Sequence, residues 1–174
     1  MDTAETGSPR RARVGQVLAP FLLAVGLLAF FARGFYWEPC LEILDESGSK
    51  LESVPLPDGL FSHVYTHSIH LSRVDEEFRI AGNSLELLRL RYDSYGVGMP
   101  SEGGEDFRIE DGRFVVELKR SFPKVQIRIS HLPGHGLEFG GTFRPFTEWA
   151  PPESLIQLDA GKRLSYSMRR VLGL

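Results

Sequence analysis

Cysteine is almost absent: Cys40 is the only one. That excludes an intrachain disulfide framework and any multi-cysteine metal knuckle. Charge of one sign is lacking too, since 20 Lys and Arg stand against 23 Asp and Glu for a net −3. A dedicated nucleic-acid binder would be far more basic. No glycine-rich stretch ends in Gly-Lys-Ser/Thr, which excludes a P-loop. No internal repeat is evident, and beyond residue 40 no stretch keeps a convincing 3.6-residue period. What the chain does have is 174 residues, 42% of them apolar and 25% charged. That suits one domain with a core and excludes whole-chain disorder. Glycine (18) and proline (11) make up about one residue in six, which favours many turns over long helices.

One long uncharged run is present, from 14 to 32, preceded by Arg10, Arg11 and Arg13. As a helix it would be about 28 Å long, close to the hydrocarbon thickness of a bilayer. Basic residues before it predict an N-terminus in the cytoplasm and the body outside. Phe35, Tyr36 and Trp37 then stand where the outer interface should lie. The expected organisation is a basic N-terminus over 1–13, a transmembrane signal anchor and interface over 14–37, and an exported domain over 38–174. A cleaved signal peptide and a buried soluble helix are the alternatives. Cleavage after Ala32 would put Phe30 at the −3 position, where a small residue is needed. Trp37, Glu38 and Pro39 before Cys40 do not suit a lipoprotein signal. Residues 1–37 carry four Arg, one Asp and one Glu, so the remainder holds −5.

Beyond Cys40 the dominant period is two, the mark of strands with one buried face. Strands are predicted at 41–45, 50–55, 61–71, 74–81, 84–92, 106–110, 113–119, 124–131, 154–158 and 164–169, with a doubtful one at 136–139. Asp111-Gly112 is the strongest hairpin signal. The expected fold is all-β, an antiparallel meander closing into a sandwich or barrel, after one N-terminal transmembrane helix. Leu85 and Leu87 share a parity that Leu88, Leu90 and Tyr92 break. Either a β-bulge near 87–88 or a strand buried on both faces accounts for this.

The strand predicted at 61–71 aligns Phe61, His63, Tyr65, His67, Ile69 and Leu71 on one face. With Ser72-Arg73 as the tip, His67 faces Phe78 and has Glu76 as a diagonal neighbour. Such a pair either satisfies two buried polar groups or serves binding or acid–base chemistry. Ser68 points to the opposite face, which argues against a Ser/His/Glu triad. No metal is expected. His63 and His67 lie about 13 Å apart on a strand, and His131 with His135 offers two imidazoles without a nearby carboxylate. Ser94, Tyr95, Gly96, Gly98 and Pro100 belong to a glycine-rich loop of about a dozen residues. No helix follows, so it is not a dinucleotide fingerprint. It either closes over a pocket or is a solvated connection.

Tyr65-Thr66-His67-Ser68-Ile69, then Val74 and Glu76, then Ser94-x-Gly96-x-Gly98-x-Pro100, then Asp111-Gly112 together resemble the family called domain of unknown function 1850. The resemblance covers roughly 40–140. Gly96-Val97-Gly98 stands where the family usually has Gly-Ala-Gly, and 143–152 departs from the pattern. The resemblance implies a small exported protein, often encoded beside TRAP transporters of the TAXI type. It implies an accessory role with a transporter permease or its solute receptor as partner, and no particular chemistry. The expectation is a membrane-anchored, non-enzymatic domain without a cofactor or a nucleic-acid partner, with a binding surface at His67, Ser68, Glu76, Ser94, Tyr95, Gly96, Gly98 and Pro100. A structural envelope domain without ligand and a small surface hydrolase using His67 and Glu76 are the alternatives.

Overall fold

A computed structural model of the chain describes residues 10–94, 96 and 107–173. They fall into two compact units, one from 1–37 with 164–174 and one over 38–163.

In the first unit the uncharged run is helical, as α1 (Arg10–Ala32). Its side chains are described from Pro20 onward. Phe21, Leu22 and Leu23 are all exposed, as are Leu27 and Leu28. Three successive positions turn through most of a helical circle, so this stretch has no polar face. Among the described residues no helix is long and apolar enough to cross a membrane. The unit closes with a short C-terminal helix, α2 (Met168–Leu172). Ser167 N–H donates to the Gly34 carbonyl at 2.9 Å, and the Arg170 guanidinium lies 4.5 Å from the Tyr36 ring centre. The strand expected at 164–169 is therefore the end of a strand followed by this helix, which is too short to show a period in the sequence.

The second unit is built on two separate antiparallel sheets, and is a sandwich. The smaller sheet has the order β2 (Lys50–Pro55), β1 (Phe35–Asp45), β11 (Leu155–Tyr166), β8 (Lys124–Arg128). The larger has the order β10 (Thr142–Pro145), β9 (Gly136–Phe139), β3 (Leu60–Thr66), β4 (Arg73–Ala81), β5 (Ser84–Tyr92), β7 (Arg113–Phe122), β6 (Phe107–Glu110). The core between them contains Leu41, Ile43, Phe61, Phe78, Leu137 and Ile156. Cys40 is part of the buried interior.

One turn prediction is realised by backbone conformation, and a second turn of the same kind stands beside it. Asp111 and Gly112 both have positive φ, 50° and 79°, and Glu110 pairs with Arg113 across them. That is the two-residue turn whose twist matches the flanking strands. Gly140-Gly141 does the same at 56° and 74°, joining β9 to β10. The sequence carried this second signal, and β10 was not predicted from it. The bulge is real: Phe78 pairs with Leu87 and Glu77 with Arg89, leaving Leu88 over. The extra residue returns Leu90 and Tyr92 to the buried side with Leu85 and Leu87.

The strand predicted at 61–71 is a correction. β3 stops at Thr66 and β4 begins at Arg73, so 67–72 is a loop rather than half of a hairpin arm. Within it His67 N–H donates to the Ser72 carbonyl and Leu71 N–H to the His67 carbonyl, and Leu71 takes a left-handed φ of 51°. The true register pairs His63 with Glu76 and Phe61 with Phe78.

A clasp joins the sheet edges at β2 and β10. Glu52 accepts both terminal nitrogens of Arg144 at 2.8 and 2.9 Å and the Trp149 indole N–H at 2.6 Å. The Arg144 guanidinium holds the Glu52 carboxyl below its ordinary range. Both side chains are partly exposed, so water takes up part of the loss when one is removed. Glu52→Ala is expected to lower stability by about 1–2 kcal/mol in urea denaturation. A loss below a few tenths would show that the clasp is solvated decoration.

Candidate functional site

On the inner face of β3 and β4 the rows run from core to rim. Phe61 stacks on Phe78 with ring centres 5.3 Å apart, and the next row is His63 opposite Glu76. Alternation alone carries both strands from apolar to polar at the same level, because neighbours two residues apart share a face. Tyr65 follows, opposite Val74.

His63 Nδ1 lies 2.9 Å from Glu76 Oε2, and His63 Nε2 lies 2.9 Å from His135 Nε2. His135 Nδ1 in turn accepts the backbone N–H of Ser130 at 2.8 Å. That last bond has only one possible direction, since a backbone amide can only donate. It sets the rest. His135 carries its hydrogen on Nε2 and donates to His63 Nε2, and His63 then donates from Nδ1 to the Glu76 carboxylate. The result is a one-way relay, Ser130 to His135 to His63 to Glu76, that brings together a loop and two strands.

Both imidazoles are 8% exposed. Phe146, in a 3-10 turn at Phe146–Glu148, stands edge-on to His135 at 4.9 Å and lies 5.7 Å from His63. Burial and the neighbouring His63 push the His135 imidazole down to about 4, against the opposing pull of Glu76. Burial, together with the nearby Glu76 carboxylate, pushes the Tyr65 hydroxyl up to about 12. A cleft of ≈ 350 Å³ opens here, with Tyr65, Glu76, Arg128, Ser130 and both imidazoles in its lining.

All four ring nitrogens are engaged in the relay, and the lone pairs on His63 Nε2 and His135 Nδ1 each accept a hydrogen bond within it. A metal would need the lone pair on His135 Nε2, and the Ser130 N–H keeps that nitrogen protonated. Among the described residues no three or more His, Cys, Asp or Glu are grouped to hold an ion.

Of the residues picked from sequence, Glu76 alone belongs to this relay. His67 sits in the 67–72 loop, where its Nδ1 accepts the N–H groups of Ile69 and His70 at 3.3 Å each. Its ring stacks on His70 at 4.9 Å. It serves as a loop cap and not as the partner of Glu76. Ser68 is exposed in that loop. Gly96 lies against the His70 ring, so close that a Cβ would come within 2.6 Å of it. Ser94 ends the strand β5 side of the same loop region, partly buried, while Tyr95, Gly98 and Pro100 lie outside the described residues. His63 and His135 were visible in the sequence but were weighed only as metal ligands. His131, set beside His135 in the sequence as an imidazole without a nearby carboxylate, is exposed and has the Glu153 carboxylate at 3.4 Å.

Residues 61–146 match the family model described as Domain of unknown function (DUF1850). The chain belongs to this family. In this DUF1850 chain the matched stretch runs from Phe61 to Phe146, and so contains Glu76, His63, Ser130 and His135 together with the aromatic ring that covers them. No curated protein matches the chain, and no solved structure does.

Proposed function

We propose that this chain is a membrane-anchored, non-enzymatic binding domain, accessory to a solute transporter, with the relay cleft as its binding surface. The observation that carries the binding reading is that every ring nitrogen of His63 and His135 is used inside the relay. The cleft therefore offers a fixed polar wall to a ligand, and a base here would have to give up a relay hydrogen bond to act. This weighs against the hydrolase alternative.

Anchoring is supported by α1. Its described side chains are apolar and exposed all round, an arrangement that water disfavours and a bilayer accepts. Trp37 and Phe35 are exposed beyond its end, and Arg169 and Arg170 stand in α2. Aromatic and basic side chains of this kind suit a membrane interface. The domain would then lie outside the cytoplasmic membrane, with the N-terminus inside. The TRAP-type partner of the TAXI kind is supported by the family resemblance.

Purification of the full chain from native membranes in mild detergent, with mass spectrometry of what accompanies it, tests the proposal. Recovery of a TRAP permease or its solute receptor in near-equal amount is the expected result. A chain recovered alone, while other membrane complexes stay intact, would favour a structural envelope domain without a ligand. Extraction of the chain by alkaline carbonate would remove the anchor.

A further inference from the structure

We propose that the His63–His135 pair is a proton-operated latch on the cleft: neutral, it holds the 130–135 loop against β3, and one added proton releases it. The consequence for ligand access rests on the binding reading above; the latch itself rests on hydrogen counting.

In the neutral relay three hydrogens serve three bonds, all pointing the same way. A proton added at His63 Nε2 would set two N–H groups head to head across 2.9 Å. Reversing the His135 tautomer removes that conflict and creates another, because Nδ1–H would then face the Ser130 N–H at 2.8 Å. A proton added at His135 Nδ1 meets the same amide. Each route costs the His135 ring one of its two partners. A doubly protonated pair in so buried a place is worse still.

The fold decides which side moves. His63 is in β3, which is hydrogen-bonded to β4 on one side and to β9 on the other. His135 is the last residue of a loop between β8 and β9. Apart from the relay, that loop's described tie to β3 is the Thr66 hydroxyl donating to the Pro133 carbonyl at 2.7 Å. Ser130 and His135 form one wall of the cleft, so their release widens it. The titratable and charged groups facing the pair are Glu76 from β4, Tyr65 from β3 and Arg128 from β8. Burial and the neighbouring His63 oppose a proton added at His135, Glu76 favours it, Arg128 is turned to the Glu153 carbonyl, and the Phe146 ring contributes no charge. The lowered basicity of His135 agrees with this balance.

Hydrogen exchange of the full chain in detergent micelles, near pH 7.5 and near pH 5 and corrected for intrinsic exchange, reads the latch directly. Peptides covering 130–136 should exchange at least about tenfold faster at the lower pH, with β4 and β5 unchanged. His135→Gln keeps a carbonyl to accept the Ser130 N–H and an amide to donate to His63, and should abolish the difference. If that variant does not fold, His135→Asn, whose side-chain carbonyl can take the place of Nδ1 under the Ser130 N–H, tests the same point. Equal protection of 130–136 at both pH values, or a pH effect that survives either variant, overturns the proposal. So does an imidazole 1H–15N spectrum near neutrality with His135 protonated at Nδ1. None of these readouts involves a transporter. A chain purified without a partner leaves the latch standing, and a pH-insensitive loop leaves the binding reading standing.

Discussion

Phe146→Ala should remove about 3–5 kcal/mol of stability from the sandwich, the usual range for deleting a large aromatic side chain from a core. Phe146 is fully buried. It belongs to the same cluster as Leu137 and Ile156, and it lies against both imidazoles and 6.1 Å from the Trp149 ring. Two losses add together. The first is apolar area returned to a cavity, and the second is the dry wall behind the relay. Against a typical domain stability of about 5–15 kcal/mol this is a large fraction. Urea denaturation of the full chain measures it, and a loss under about 1 kcal/mol would mean that the site collapses around the gap. Phe146→Leu, which keeps most of the volume, should recover the greater part.

Stability should fall as the pH drops from about 6.5 toward 4, by up to about 3 kcal/mol. The sign follows from His135. Its folded value is lowered to about 4 from an ordinary 6.5, so between these two values the unfolded chain binds the proton and the native chain refuses it. The contribution is complete above about 6.5 and is lost as pH falls through the folded value. Carboxylates held low by partners, such as Glu52 beside Arg144, add their own loss only below the ordinary carboxylate range. The window above about 4.5 therefore belongs to the imidazole. Release of the latch limits the total, since a freed His135 titrates normally and the loss then levels off at the free energy of opening. Urea midpoints measured at intervals across this window should slope downward for the native chain and stay flat for His135→Gln. A flat native profile contradicts the burial and the relay together.

Both predictions depend on contacts that differ in how far the sequence shows them. Alternation placed most strands, Asp111-Gly112 placed a hairpin, and the parity break at Leu87-Leu88 narrowed that strand to a bulge or burial on both faces. Each is a local pattern, and each reflects the backbone period or the steric needs of a turn. The parity of β3 was also legible: alternation puts His63 and His67 on one face, the face that meets Glu76, although His67 falls in the loop beyond the strand. The choice between them was not. The register proposed from sequence and the one observed differ by an even number of residues, which leaves the side chains within β3 and β4 on their expected faces. Hydrophobic alternation cannot tell such registers apart. The deciding term was the 67–72 loop, closed by His67 and by Leu71 in a left-handed conformation, which no turn signal announced.

By itself, then, the amino-acid sequence determined the class of fold, the uncharged N-terminal run, the faces of the strands and the family. Tertiary structure decided which histidine meets Glu76, that His135 arrives 72 residues later to complete the relay, and that Glu52 and Arg144 close the sheet edges from 92 residues apart. It also decided the direction of every proton in the relay, through one backbone amide at Ser130. The division has a physical cause. Strands and turns are chosen by interactions between near neighbours, whereas partners across a sandwich are chosen by packing and hydrogen-bond satisfaction among residues that the chain brings together only when it folds.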